Sequence, residues 1–133
     1  MKYLFIILIT TLISCTKDSN EIDTIDIPLV GVWELNETLI SDGGLGGDWF
    51  EVPLEDRAAL IFNSDSTFTF GDGTLECNNG AFNLEEGILV FMPTSNSCGT
   101  VTYGFVQETN DEFTMFDQTC TEICAFRYIR RLQ

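Results

Sequence analysis

Histidine is absent from the 133 residues, and only 6 lysines and arginines stand against 21 aspartates and glutamates. The first absence removes the commonest general base and the commonest metal ligand. The second, a formal net charge of −15, excludes nucleic acid as a partner, because phosphate neutralisation needs a basic face. No lysine follows Lys17, so a Ser or Cys nucleophile in the body of the chain could look only to a carboxylate for its base. Glycosidase-like carboxylate pairs are easy to draw among 21 acids, and that abundance makes any one pair uninformative. The acids fall in turns and outward strand positions (Glu34, Asp65, Asp72, Glu85, Glu86, Asp111, Glu112), which reads as a solvated surface. The run Gly43-Gly44-Leu45-Gly46-Gly47 has no following lysine and no helix start, so it is no phosphate cradle. Spaced Asp-x-Asp-x-Asp calcium loops are also missing, although Asp72 lies between glycines. The expectation is a protein that is not an enzyme and needs no cofactor or metal.

What is present begins with an export signal. Lys2 precedes an apolar run, Tyr3 to Ile13, that is shorter than the about 20 residues needed to span a bilayer. It ends in Leu12-Ile13-Ser14-Cys15, which resembles the lipobox of bacterial lipoproteins. That resemblance implies a signal peptide over 1–14, cleavage before Cys15, and lipid attachment to Cys15. Two or three acyl chains on one residue would anchor the protein to a membrane stably. Thr16 rather than Asp follows Cys15, and Lys17-Asp18 resembles the surface-export signal of Bacteroidetes-type lipoproteins. The location implied is the bacterial outer membrane, with cell-surface exposure as the finer expectation. Residues 15–28 are polar and acidic without apolar period, and read as a flexible tether. Asp23-Thr24-Ile25 and Asp65-Ser66-Thr67 resemble O-glycosylation tripeptides of the same bacteria.

Residues 29–133 form the domain. Trp33 and Leu35, Phe68 and Phe70, Phe82 and Leu84, and Phe126 and Tyr128 each alternate with small or polar neighbours, the period of a half-buried strand. Turn clusters divide the chain into eight expected strands: 31–40, 57–63, 66–71, 74–84 (kinked at 78–80), 88–92, 99–108, 112–117 and 124–130. Strands this short and regular predict an all-β, antiparallel, up-and-down eight-stranded barrel, which also removes open sheet edges. Gly31-Val32-Trp33 resembles the Gly-x-Trp signature of lipocalins, and Leu60 to Phe68 resembles the second hairpin of bacterial lipocalin-like lipoproteins. Ser66 stands where that hairpin usually carries glycine. The resemblance covers about residues 29–131 and implies a lipocalin-like barrel with Gly31 and Trp33 as structural signature. It also implies an arginine over Trp33; Arg127, Arg130 and Arg131 are candidates, and Arg127 is the expected partner.

With strands alternating in direction, the N-terminal entry and the tight turns at 63–66, 85–87 and 109–111 share one pole. The long connections share the other, and with them Cys77, Cys98, Cys120 and Cys124. Four cysteines in an exported domain read as two disulfides rather than a zinc site, since no Cys-x-x-Cys pair occurs. Cys120–Cys124 with Cys77–Cys98 is preferred; Cys98–Cys120 with Cys77–Cys124 is the rival. The longest connection, 41–56, is read as a lid carrying Trp49 and Phe50 over the barrel mouth. Phe62, Phe68, Phe70, Phe82, Phe91, Tyr103, Phe105, Phe113, Met115, Phe126 and Tyr128 should point inward, so any cavity should be narrow or confined to the mouth. Trp49, Phe50, Phe70, Phe91, Tyr103 and Phe105 are the candidate contacts for a small apolar ligand. The alternative function is an envelope interaction module with a filled core and a protein partner; a carboxylate hydrolase comes third.

Overall fold

The computed structural model describes residues 29–41, 47–71, 73, 76–120 and 124–132. The expectations for the signal peptide, Cys15, the tether, residues 43–46 and Asp72 lie outside them. Burial alternates along the strands as their two-residue repeat requires: Leu60 and Phe62 are almost fully covered, while Ala59 and Ile61 beside them are not. The strands are β1 (Gly31–Ser41), β2 (Gly47–Glu51), β3 (Ala59–Phe62), β4 (Thr67–Phe70), β5 (Asn79–Glu85), β6 (Ile88–Pro93), β7 (Val101–Thr109), β8 (Glu112–Asp117) and β9 (Cys124–Arg130). A single turn of 3-10 helix, Leu54–Asp56, precedes β3.

All pairings are antiparallel. β3 to β9 follow one another in order, and β1 joins β3 on one side and β9 on the other, closing an eight-stranded barrel. The ninth strand corrects the expected lid. Gly47–Glu51 pairs with the upper half of β1, Glu37↔Glu51 to Ser41↔Gly47, where β3 no longer runs alongside. Part of the supposed loop is therefore sheet; Asp48-Trp49-Phe50-Glu51 sets two aromatics side by side and carries no period-2 signal for a strand. A bulge between Leu35 and Glu37 shifts the β1–β9 register and keeps Leu35 facing Tyr128 while Glu37 faces Arg127. The kink expected inside one strand instead marks where β5 begins: Gly80 lies so close to β6 that a Cβ there would sit 2.1 Å from the Met92 carbonyl oxygen.

One end of the barrel is solid. Trp33 is fully buried and its indole N–H donates to the Leu29 carbonyl at 2.8 Å. Phe113 meets it edge-on at 4.7 Å, and Phe105 and Tyr128 pack on Phe113 at 5.2 and 5.1 Å. Arg130, not Arg127, covers Trp33, with its guanidinium 4.3 Å from the ring centroid and Nη1 donating to the Val30 carbonyl at 3.0 Å. The reason is phase: Phe126, Tyr128 and Arg130 share the inner face of β9, whereas Arg127 points outward. Gly31 completes the clasp. Its φ is +142°, and a Cβ there would stand 2.6 Å from Arg130 Nη1. All eleven residues expected inside belong to this core or pack against it.

Two backbone positions test the turns and the clasp in opposite directions. Gly31→Ala is expected to lower stability by about 1–3 kcal/mol, through strain and displacement of Arg130. Ser66 holds φ at +64°, so Ser66→Gly is expected to raise stability by about 0.5 kcal/mol. Urea midpoints at constant slope would show both; equal midpoints for Gly31→Ala and the parent would contradict the clasp.

Candidate ligand site

The other end of the barrel is hollow. A cavity of about 400 Å³ lies above the Trp33 core, within the size range of small-molecule sites. Leu35, Leu60, Met115 and Tyr128 form its floor; Phe68, Phe70, Phe91, Tyr103 and Phe126 form its wall. Cys77, Asn78, Cys98 and Gly99 from the loops, with Pro93 ending β6 and Val101 opening β7, form the rim, and of these Cys77, Gly99 and Val101 are solvent-exposed. The wall rings pack on one another, Phe68 on Phe91 at 4.7 Å, Phe91 on Tyr103 at 5.9 Å and Tyr103 on Phe126 at 6.4 Å. They are thus held open by mutual contact rather than free to collapse inward.

The two disulfides brace this end. Cys77–Cys98 ties the β4–β5 connection to the β6–β7 connection across the rim, and Cys120–Cys124 closes the β8–β9 connection. The preferred pairing is the one formed. Glu76 adds a polar tie beside the first bridge, accepting from Ser97 Oγ at 2.8 Å and Ser95 Oγ at 3.3 Å.

Among the expected ligand contacts, Phe70, Phe91 and Tyr103 line the cavity. Trp49, Phe50 and Phe105 do not. Trp49 faces outward on β2, where Arg127 stacks on its ring at 4.0 Å. Arg127 is further held by the Glu37 carboxylate, and its Nε lies 3.4 Å from Glu112, within ion-pair range but off the line of a hydrogen bond. Phe50 pairs with Thr38, on the face that carries Phe126, yet stays 53% exposed above the rim. Phe105 belongs to the solid end, against Phe113. Leu35, Leu60, Asn78, Pro93, Gly99 and Val101 line the cavity but are expected neither as ligand contacts nor among the inward-pointing side chains; strand phase is the available signal for the two leucines.

No family model, no curated protein and no solved structure matches this chain. The site therefore speaks through its chemistry alone. Its lining is almost wholly apolar, with the Asn78 amide and two phenols as polar groups, and no charged residue contributes. Among the described residues no cluster of three metal-ligating side chains occurs.

Both phenols register the low polarity. Burial pushes the Tyr128 hydroxyl far above the ordinary tyrosine range, with Tyr103 adding repulsion. Burial likewise raises Tyr103, helped by the negative charge of Asp117. A raised acid pKa means the folded state holds its proton longer, so stability contributed by these groups is intact below the ordinary value of 10.0 and falls as pH rises beyond it. Alkaline titration followed by phenolate absorbance should show Tyr103 ionising late and Tyr128 only as the barrel opens. Removing Tyr128 by Tyr128→Phe should eliminate the later step; ionisation of both at the free-tyrosine value would contradict burial of the two hydroxyls.

Proposed function

We propose that this chain is a membrane-anchored bacterial lipoprotein, lipid-modified at Cys15, whose lipocalin-like barrel binds a small hydrophobic ligand at its loop-rich end. The observation that carries the reading is the half-empty barrel. Bulky residues close one end completely, while an apolar space of about 400 Å³ persists at the other behind a braced rim. Burying an apolar surface there gains about 25 cal/mol for each Å² removed from water, enough to hold a small molecule without any ion pair. The interaction-module alternative makes no use of this space, and the apolar cavity is what favours the ligand reading over it.

The placement of the ends supports the anchoring part. The chain enters the barrel at Leu29, which packs into the Trp33 core, so a tether preceding it would leave from the closed end. The rim then faces away from the membrane and toward the aqueous phase. Two disulfides suit an oxidising compartment, as an exported protein would meet.

Native mass spectrometry of protein isolated from its own host is expected to show a small-molecule adduct. Val101→Trp, at the 43%-exposed rim end of β7, is expected to reduce that adduct several-fold by blocking the mouth, with an unchanged urea midpoint showing that the barrel still folds. Cys15→Ala is expected to move the protein from the membrane to the soluble fraction. An adduct-free parent, or an adduct indifferent to Val101→Trp, would overturn the ligand reading; membrane retention of Cys15→Ala would overturn the anchor.

A further inference from the structure

Charge around the cavity restricts its ligand further than shape does. From Leu29 onward the chain has four arginines and no lysine. Every one of the four is held by carboxylates away from the cavity. Arg57 pairs with Glu51 at 3.0 Å and also donates to the Val52 carbonyl. Arg127 pairs with Glu37 and Glu112 on the outer face, beneath Trp49. Arg130 lies at the closed end on Trp33 and Asp111, and Arg131 pairs with Glu34 at 3.2 Å. Among the described residues no cation lines the cavity or its rim.

The charges that do stand near the mouth are negative. Glu76 is joined to the rim through Ser97, whose neighbour Cys98 lines the cavity. Asp117 is the strand partner of Tyr103, a wall residue, and acts on it electrostatically. An anionic headgroup entering here would lose water, meet no compensating donor of opposite charge, and approach like charges. A neutral molecule meets none of these costs.

Building on the ligand-binding reading, we infer that the cavity takes an uncharged, largely apolar molecule and turns away anionic amphiphiles, fatty acids included, that would otherwise suit its size and lining. Selection of this kind comes from penalising the wrong ligand rather than from extra contacts to the right one. The three polar side chains of the lining, on Asn78, Tyr103 and Tyr128, can each hydrogen-bond a neutral oxygen or nitrogen. They suit a ligand with one or two uncharged polar groups on an apolar body.

The test uses two fluorescent probes of nearly the same shape, neutral N-phenyl-1-naphthylamine and its anionic 8-sulfonate. Titrated into the purified protein at low salt, the neutral probe is expected to bind at least about tenfold more tightly. Thr100→Lys, an exposed change between the rim residues Gly99 and Val101, is expected to strengthen binding of the sulfonate several-fold and leave the neutral probe unchanged. Equal or tighter binding of the sulfonate by the parent would overturn the charge filter while leaving ligand binding intact. Binding of neither probe, with Val101→Trp also without effect, would overturn both.

Discussion

The contact of Arg130 with Trp33 organises this barrel. Trp33 opens the first strand of the domain and Arg130 ends the last, so their stacking at 4.3 Å fastens the seam at which the sheet closes on itself. Neither partner could take this position alone. Gly31 leaves the room that the guanidinium occupies, and the Val30 carbonyl and Asp111 hold the guanidinium in place. Such a cation–π contact contributes about 0.5–2 kcal/mol, but its larger effect is geometric, since it commits one end of the barrel to being full.

From that commitment comes the asymmetry of the molecule. Trp33, Phe62 and Phe113 fill the closed end, Trp33 meeting Phe113 edge to face and Phe62 lying tilted against it. At the opposite end Phe68, Phe70, Phe91, Tyr103 and Phe126 stand along the wall and pack on one another rather than filling the middle, and the cavity lies between them. Loops there cannot be held by a core. Cys77–Cys98, spanning 21 residues, contributes about 3 kcal/mol by restricting the unfolded chain, and fastens the rim where packing does not. The acidic surface and the captive arginines then determine the sign of the field around the mouth.

Much of this is legible in the residues. Alternation at Thr67-Phe68-Thr69-Phe70 and at Phe126-Arg127-Tyr128 specifies both the strands and their inner faces, because a strand has only two faces to choose between. Cysteine positions specify a braced pole for the same topological reason. Two features mislead. Arg127 is the expected cover for Trp33, although its phase opposite Tyr128 turns it outward, and Arg130 has the right phase. Asp48-Trp49-Phe50-Glu51 sets two aromatics side by side after a glycine run, with no period-2 pattern, so a strand pairing to β1 has the look of a lid. The cavity itself cannot be read from the chain, since an interior space depends on how side-chain volumes meet across eight strands and no local pattern encodes their sum.

Methionine methyl resonances offer the most direct test of a barrel solid at one end and hollow at the other. Met115 is buried in the cavity floor, whereas Met92 is 40% exposed and does not line it. On titration with a neutral apolar probe, the Met115 methyl signal is expected to shift in a saturable manner while Met92 stays in place. A Met115 signal that does not move at any probe concentration, or one that moves only together with Met92, would contradict the account.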